Sequence, residues 1–278
     1  MPTRPAVPPG FERSARGACV LIADSALLPG AEALLDPAAF AATFHQPAGE
    51  GRAATALIDL GPGRSRVWLR RLLHGGALGP LLGRSFLGMR RPLAELDVNE
   101  RLRAAGAPVP RPALALGQRL FGPIFACAVG TYYEEDTCDV LAFLRDAPDE
   151  ARVLRAADAL GRAVRRFHDV GGRHPDLHVK NLLLRERGAG YEAIVIDLDR
   201  AQIGADVTPN ERMSQLVRLF RSLLKRNVLK TVGSRGCARF LSAYCQDDRR
   251  LRRAMWRRVD RELRLVAIHR LRYSAPTT

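Results

Sequence analysis

The chain has 278 residues, of which 47% are hydrophobic, a composition that fits a folded globular protein and excludes a disordered one. Lys and Arg number 44 against 29 acidic residues, so the formal net charge is +15 and the surface should attract anionic partners. Five scattered cysteines without a CxxC pair argue against a disulfide framework and against a zinc site. No apolar run approaches the roughly 18 residues of a membrane span, so we expect a chain that is neither exported nor integral to a membrane.

The first half of the chain predicts a small sheet-containing lobe. Residues 1–45 are rich in Pro, Ala and Gly and predict a poorly structured lead-in. The segments ATALIDL and SRVWLRRLL predict two strands separated by the turn sequence GPGR. RPLAELDVNERLRAAG, residues 91–106, has helical spacing and ends at Gly106. APVPRPALALG and GPIFACAVGTYY predict two more strands, so residues 46–133 are expected to form an antiparallel β lobe with one helix.

The second half, residues 134–278, predicts a larger and mainly helical lobe. DEARVLRAADALGRAVRRFHDVGG carries one apolar stripe at helical spacing. TPNERMSQLVRLFRSLLKR opens with a capping box at Thr208 and Glu211 and has Pro209 at its first helical position. Between these helices, NLLLRERGAGYEAIVID predicts a strand, a glycine turn and a second strand. The basic segment at 247–265 predicts an amphipathic helix, which either lies on anionic lipid or packs as an ordinary surface helix.

The segments RHPDLHVKNLLL and AIVIDLDRA place acidic, amide and imidazole groups around this hairpin. Because a hairpin brings its two ends together, we expect Asp176, Asn181 and Asp197 to converge. A carboxylate can accept the proton of an attacking hydroxyl, while an amide oxygen and a second carboxylate can hold Mg²⁺ against nucleotide phosphates. An Asp five positions before an Asn, with a further Asp ending a later strand, is the spacing of a kinase catalytic loop and its metal-binding aspartate.

At these residues the chain resembles a known family. HPDLHVKN is similar to the His-x-Asp-x-x-x-x-Asn catalytic loop of the protein-kinase-like superfamily. VIDLDRAQ is similar to the metal-binding segment of the lipopolysaccharide core kinases, which phosphorylate 3-deoxy-D-manno-octulosonic acid (Kdo) or heptose. The resemblance runs from about residue 47 to 230. It implies an α+β, protein-kinase-like bilobal fold, with the small antiparallel β lobe first and the larger helical lobe second.

The resemblance also implies roles for individual residues. It places three residues of the first motif in the catalytic machinery, namely Asp176, His174 and Lys180. It assigns Mg²⁺ binding to Asn181, Asp197 and Asp199, and pairing with Arg200 is the alternative for Asp199. His174 is expected to shape the loop through hydrogen bonds to backbone near Asp197 rather than to transfer protons. Lys180 either contacts the transferred phosphate or is only solvated.

Nucleotide binding is expected from the first lobe. GEGRAAT resembles a degenerate glycine-rich phosphate loop, in which Gly49 and Gly51 allow close approach of the backbone to phosphates. Arg70 in RVWLRR stands where the wider superfamily has Lys, and Glu95 is its natural ion-pair partner. An ordinary solvated pair is the alternative for these two residues.

Acceptor binding is expected from the basic residues Arg200, Arg218 and Arg221. For the last two, a solvent-exposed helix face is the simpler explanation. The resemblance implies an ATP- and Mg²⁺-dependent kinase that acts on the 4-hydroxyl of Kdo on lipid A. Such an acceptor lies on an anionic membrane surface, so we expect a bacterial cytoplasmic protein held peripherally at the inner membrane, without a stable nucleic-acid partner.

Three alternatives stay open at this point. The first is a heptose kinase of the same core oligosaccharide. The second is a small-molecule kinase of the aminoglycoside or choline type, which DLHVKN favours and the basic surface disfavours. The third is an inactive kinase fold that binds membrane or nucleic acid through its Arg-rich C-terminal segment.

Overall fold

The computed structural model describes residues 7–44, 55–60, 65–73, 83, 85–246 and 248–258. The chain divides into two compact units. The first comprises Met1–Ala104 with Pro110–Glu135, and the second Ala105–Val109 with Asp136–Thr278. No helix within the described ranges combines the length and the apolarity that crossing a membrane requires.

The first unit is built on one antiparallel sheet with the strand order β1-β2-β6-β7-β4-β3, and β5 pairs with β7 outside this path. Its strands are β1 (Phe11–Arg16), β2 (Cys19–Asp24), β3 (Thr55–Leu60), β4 (Ser65–Arg71), β5 (Ser85–Leu87), β6 (Pro112–Phe121) and β7 (Ile124–Tyr132). Its helices are α1 (Leu28–Ala31), a 3-10 turn (Glu32–Leu35), α2 (Pro37–Ala42) and α3 (Arg90–Ala104). The strands predicted as β3, β4, β6 and β7 and the helix α3 are thereby confirmed.

For residues 7–44, the described part of the segment 1–45, the prediction of a poorly structured lead-in is wrong. β2 is buried along most of its length and pairs with β1 on one side and β6 on the other. The helical residues after it, including Leu35 and Phe40, pack into the same core as Leu69 of β4. Asp36 caps α2 by accepting a hydrogen bond from the N–H of Ala38. The Ala- and Pro-rich composition of this segment concealed short elements that tertiary packing stabilises.

The second unit carries short sheets and long helices. Its elements are β8 (Thr137–Asp139), α4 (Val140–Arg145), α5 (Glu150–Asp169), β9 (Gly172–Arg173), a 3-10 turn (Val179–Asn181), β10 (Leu182–Arg187), β11 (Gly190–Val195), β12 (Gln202–Ile203), α6 (Pro209–Lys225) and α7 (Leu229–Cys245). Residues 249–258 are also helical, inside the segment predicted as a basic helix. β10 pairs with β11 and β8, and β9 pairs with β12. The predicted hairpin and the Thr208–Glu211 capping box are confirmed.

The helices of this unit approach each other closely. A Cβ atom at Gly161 of α5 would come within 2.5 Å of the carbonyl oxygen of Phe240 in α7, so α5 presents only backbone at this contact. The α5 residues Val153, Val164 and Phe167 are buried, as the apolar stripe predicted. Close backbone packing and a continuous apolar stripe make α5 and α7 the core on which the other elements rest.

A buried polar cluster ties α5, α6 and α7 together. His168 is fully buried, and its Nδ1 lies 2.7 Å from the Tyr244 hydroxyl of α7. The neighbouring Asp169 binds Arg165 at 2.8 Å and Arg212 of α6 at 2.7 Å. Burial opposes ionisation of Asp169, but the two guanidinium groups hold the pKa of its carboxyl below the usual value. The position of α6 is therefore fixed by charged contacts to the end of α5.

This cluster predicts how stability depends on pH. Burial, reinforced by Arg212, lowers the pKa of His168 to about 3. Below about pH 6.5 the unfolded chain therefore binds a proton that the folded protein excludes. The stability contributed by neutral His168 is fully present above about pH 6.5 and is lost as the pH falls toward about 3.

We expect His168→Gln to flatten the acid side of the stability profile. Between about pH 7 and about pH 4.5, His168 alone should remove ~2–3 kcal/mol from the free energy of unfolding. Urea unfolding of both proteins at these two pH values measures the difference, and Gln retains a polar partner for Tyr244. An equal acid loss in wild type and variant would show that His168 titrates normally.

Candidate active site

The loop that carries the first motif begins at a tight turn after α5. Gly171 has a φ of +87°, and a Cβ there would lie 1.8 Å from the carbonyl oxygen of Gly204. A Cβ on Gly172 would meet the carbonyl oxygen of Phe167 at 2.6 Å. Only glycine therefore allows the chain to leave α5 and pair β9 with β12 at this distance.

His174 links the two motifs through its ring. Its Nδ1 accepts a hydrogen bond of 3.1 Å from the N–H of Asp176, and its Nε2 lies 3.0 Å from the carbonyl oxygen of Ile196. A carbonyl only accepts, so Nε2 carries the proton and the ring is neutral. Burial lowers the pKa of His174, which favours this form. The predicted hydrogen bond to backbone beside Asp197 is confirmed, and it connects both motifs at fixed distances.

One face of α6 holds the loop at three points. The three contacts are the Arg173–Glu211 ion pair at 2.8 Å, the His174 N–H to Gln215 Oε1 hydrogen bond at 2.7 Å, and the Val179 N–H to Ser222 Oγ hydrogen bond at 3.2 Å. The helix residues are spaced by four and by seven positions, which places them on the same side of α6. Hydrogen bonds from Arg173 and Thr208 lower the pKa of Glu211 to about 2, so this contact is charged at neutral pH. We refer to Glu211, Gln215 and Ser222 as the anchoring stripe.

The remaining hydrogen bonds bring the predicted residues together. Asn181 Nδ2 donates to the carbonyl oxygen of Asp176 at 3.0 Å, and the carbonyl oxygen of Asn181 accepts from the Ile196 N–H at 2.9 Å. The side chain of Asp176 is 71% exposed, and Asp197 is exposed directly after Ile196. Asp197 has a φ of 58°, a conformation that costs energy for most residues and that Asp tolerates better than they do. The loop thus presents two accessible carboxylates, and a buried network of hydrogen bonds supports the backbone beneath them.

The donor atoms fit Mg²⁺ better than a transition metal. Within the described part of the chain, no group of three His, Cys, Asp or Glu residues could hold a metal ion. The side-chain nitrogen of Asn181, Nδ2, is bound to the Asp176 carbonyl oxygen. The side-chain oxygen of Asn181 is therefore the atom left to bind a cation. Mg²⁺ is commonly held by one or two protein carboxylates and completes its shell with water and substrate phosphates. The side chains of Asn181 and Asp197 carry oxygen donors of this kind.

The other predicted residues of this unit have different surroundings. Lys180 is partly buried and donates its backbone N–H to His178 Nδ1 at 3.2 Å. Asp199 is partly buried, whereas Arg200 is exposed with a φ of 59°. Arg218 and Arg221 are exposed on α6, and Arg218 follows Glu211 by seven positions, on the same side of the helix as the anchoring stripe. The structure therefore places the three acceptor candidates at the surface.

Several neighbours of the loop were not singled out as site residues from the sequence. His178 Nε2 lies 3.5 Å from Asp176 Oδ2. Burial lowers the pKa of His178, Asp176 opposes this shift, and Arg226 adds to it. Gln215 and Ser222 were also missed, although their spacing from Glu211 on one helix face was a signal in the sequence. Their role depends on which helix packs under the loop, which sequence spacing alone does not give.

The candidate nucleotide-binding pair lies in the first unit. Arg70 of β4 and Glu95 of α3 are joined at 2.6 Å, and their side chains are only 19% and 10% exposed. The predicted ion pair is present and is not the solvated pair considered as its alternative. Gly49 and Gly51 lie outside the described residues. The pair places a guanidinium, with its planar set of donors, on the sheet of the first unit.

Comparison with known proteins identifies a family for this chain. Residues 65–244, more than half of the chain, match the model of the "Lipopolysaccharide kinase (Kdo/WaaP) family". A 3-deoxy-D-manno-octulosonic acid kinase of Stenotrophomonas maltophilia is 31% identical over 220 residues, covering 77% of this chain and 83% of the relative. The kinase of the same name from Haemophilus influenzae strain Rd is 30% identical over 166 residues, covering 57% of this chain and 67% of the relative.

A solved structure supports the fold. The structure described as "WaaP in complex with acyl carrier protein" aligns with a TM-score of 0.53 at 19% identity, covering 81% of this chain and 92% of that chain. This likeness agrees with the predicted α+β, protein-kinase-like fold. On the family match and the identity to its relatives, the chain belongs to the lipopolysaccharide kinase (Kdo/WaaP) family and is an ATP-dependent phosphotransferase.

Proposed function

We propose that this kinase transfers the γ-phosphoryl group of ATP to a sugar hydroxyl of the lipopolysaccharide inner core, the 4-hydroxyl of Kdo on lipid A. The observation that carries the proposal is the hydrogen-bonded assembly of Asp176, Asn181 and Ile196–Asp197, which matches the needs of phosphoryl transfer. The relatives named Kdo kinases support the choice of acceptor.

Asp176 is the group that orients the acceptor hydroxyl and accepts its proton. Its carboxylate is accessible, while its backbone is held by His174 and Asn181, so the side chain reaches outward from a fixed position. Asn181 and Asp197, with Asp199, would hold Mg²⁺, which offsets the charge of the phosphate oxygens when bound. Lys180 contributes a second positive charge next to Asn181 for the transferred group.

The first unit contributes nucleotide binding through Arg70. Its guanidinium contacts the phosphates of ATP, and Glu95 holds it in a single orientation through the ion pair of 2.6 Å. Gly49 and Gly51 are proposed to let backbone N–H groups approach the same phosphates. Positioning of this kind, rather than covalent chemistry, accounts for most of the rate enhancement of phosphoryl transfer.

The acceptor is anionic, and the protein carries the complementary charge. Arg200, Arg218 and Arg221 are exposed and are proposed to bind the acidic groups of Kdo and lipid A. A net charge of +15 and the basic helix at 249–258 favour a peripheral position on an anionic cytoplasmic membrane surface. A cationic aminoglycoside or choline would be repelled by the same surface.

Asp176→Asn tests both the reaction and the acceptor. With labelled ATP, Mg²⁺ and Kdo-bearing lipid A precursor, the wild type should label the lipid, and the variant should be slower by about 10²–10⁴-fold because it lacks the base. The melting temperature should not change, since this side chain is 71% exposed. Glu150→Gln, an equivalent charge change at a 57% exposed side chain, serves as the control and should keep full activity. Labelling only of heptose-containing core would contradict the proposed acceptor.

Gln215 should act on the rate through the position of the loop. Gln215→Met keeps the shape of the side chain but leaves the buried His174 N–H without its acceptor, at a cost of ~1–3 kcal/mol in stability. We expect kcat to fall by about tenfold or more while KM for ATP stays nearly constant. Gln215→Glu retains an acceptor oxygen and should restore part of kcat. Equal kcat in the Met and Glu variants would show that the hydrogen bond does not position the loop.

Arg70 should act mainly on nucleotide binding. Arg70→Met should raise KM for ATP by about tenfold or more, because it removes a partly buried charge-assisted contact. Arg66→Met on the same strand removes a more exposed arginine paired with Glu135, 39% and 53% exposed, and should leave KM unchanged. A similar KM increase in both variants would point to general disturbance of β4 instead.

A further inference from the structure

One end of the sheet in the first unit exposes apolar side chains. Leu87 is 67% exposed, Leu120 is 44% exposed and Phe121 is 69% exposed. Among the described residues only five large hydrophobic side chains are exposed, and these three lie on β5 and at the end of β6. We call Leu87, Leu120 and Phe121 the tip patch.

The backbone presents the tip patch in a fixed arrangement. Ile124 of β7 is opposite Phe121 on one side and opposite Leu87 of β5 on the other. Residues directly opposite on neighbouring strands place their side chains on the same face, so Phe121, Ile124 and Leu87 form a row across the sheet, and Leu120 directly precedes Phe121 in β6. The Gly88 N–H donates to the carbonyl oxygen of Pro123 at 2.9 Å and fixes the end of β5 to the turn. The apolar side chains are therefore exposed on paired strands.

Positive charge surrounds this row. Segments 16–19, 85–91 and 117–126 contain Arg16, Arg90, Arg91 and Arg119 and no acidic residue. The N–H of Arg119 binds the carbonyl oxygen of Ala18 at 2.7 Å, which places the β1–β2 turn beside the tip. Arg90 and Arg91 begin α3, and the first turn of this helix contains no acidic residue.

The side chains of two of these arginines extend along aromatic rings. The Arg119 guanidinium lies 5.4 Å from the centroid of Phe125, and that of Arg91 lies 4.9 Å from the centroid of Phe86. Each guanidinium group therefore lies over a buried ring, a cation–π arrangement that covers apolar surface with positive charge. The result is an apolar centre with a cationic rim and no acidic residue in the three segments.

We propose that the tip patch docks on an anionic lipid bilayer, with Leu120 and Phe121 entering the boundary between headgroups and acyl chains and the four arginines contacting lipid phosphates. The charge complementarity favours a lipid surface, because the charged residues of these three segments are all arginines. Three side chains are also too few for a stable protein interface, which needs about 20–30 residues a side. The proposal goes beyond phosphoryl transfer. It names a membrane-binding element in the first unit, whereas Asp176 belongs to the second unit.

The test is binding to vesicles of phosphatidylglycerol and phosphatidylethanolamine. We expect the double substitution Leu120→Ser and Phe121→Ser to weaken vesicle binding by about tenfold or more, because both side chains lose apolar contact with the bilayer. Val7→Ser is the matched control, since Val7 is also an exposed apolar residue, at 39%. It lies before Phe11, the first residue of β1, whereas Arg16 beside the tip patch is the last. This control should bind as the wild type does. Unchanged binding of the double variant would overturn the proposal.

A second measurement reports insertion directly. Phe121→Trp and Val7→Trp are compared in vesicles that carry brominated acyl chains, against the same background of two native tryptophans. Fluorescence quenching should increase for Phe121→Trp and not for Val7→Trp. Equal quenching in both, or a wild-type dimer that the double substitution converts to a monomer, would overturn the proposal. Neither measurement depends on phosphoryl transfer. If the proposed acceptor is wrong, Kdo-bearing lipid A precursor in detergent micelles will not be labelled, and this result is independent of vesicle binding.

Discussion

The hydrogen bond from the His174 N–H to Gln215 is the contact on which the arrangement of the site depends. Both residues are buried, so neither water nor another conformation compensates readily for its loss. The same helix face also binds Arg173 through Glu211 and the Val179 N–H through Ser222. α6 therefore fixes the loop on both sides of Asp176, whose own carboxylate remains accessible. A mechanism that works by positioning requires an exposed catalytic group on a rigid support, and α6 provides that support.

A series of contacts connects the helical core to the candidate catalytic residues. α5 and α7 pack closely at Gly161, and the cluster of His168 and Tyr244 joins them in the interior. Asp169 then fixes α6 through Arg212, and α6 fixes the loop. The neutral ring of His174 continues the connection to Ile196, next to Asp197 in its unusual conformation. The strained backbone of Asp197 is thus supported by contacts that begin in the core.

The sequence predicted those features that depend on local spacing. The hairpin of β10 and β11, the capping box of α6 and the Arg70–Glu95 pair were accessible because each follows from a short pattern or from a resemblance. Gln215 was not predicted, because its role depends on the helix that packs beneath the loop, and packing is non-local. The strands in 11–24 were missed for a related reason: a composition rich in small residues indicates weak local preference, but β2 is stabilised by pairing with β6, almost one hundred residues later in the chain.

Amide hydrogen exchange at His174 tests the central claim most directly. If α6 holds the loop through Gln215, the His174 N–H should exchange only with extensive unfolding of the second unit, as slowly as core amides of α5. The Gln215→Met variant should then accelerate exchange at His174 much more than at α5. Fast exchange of the His174 N–H in the wild type, at the rate of an ordinary surface loop, would contradict the account, because the loop would then open without disturbing α6.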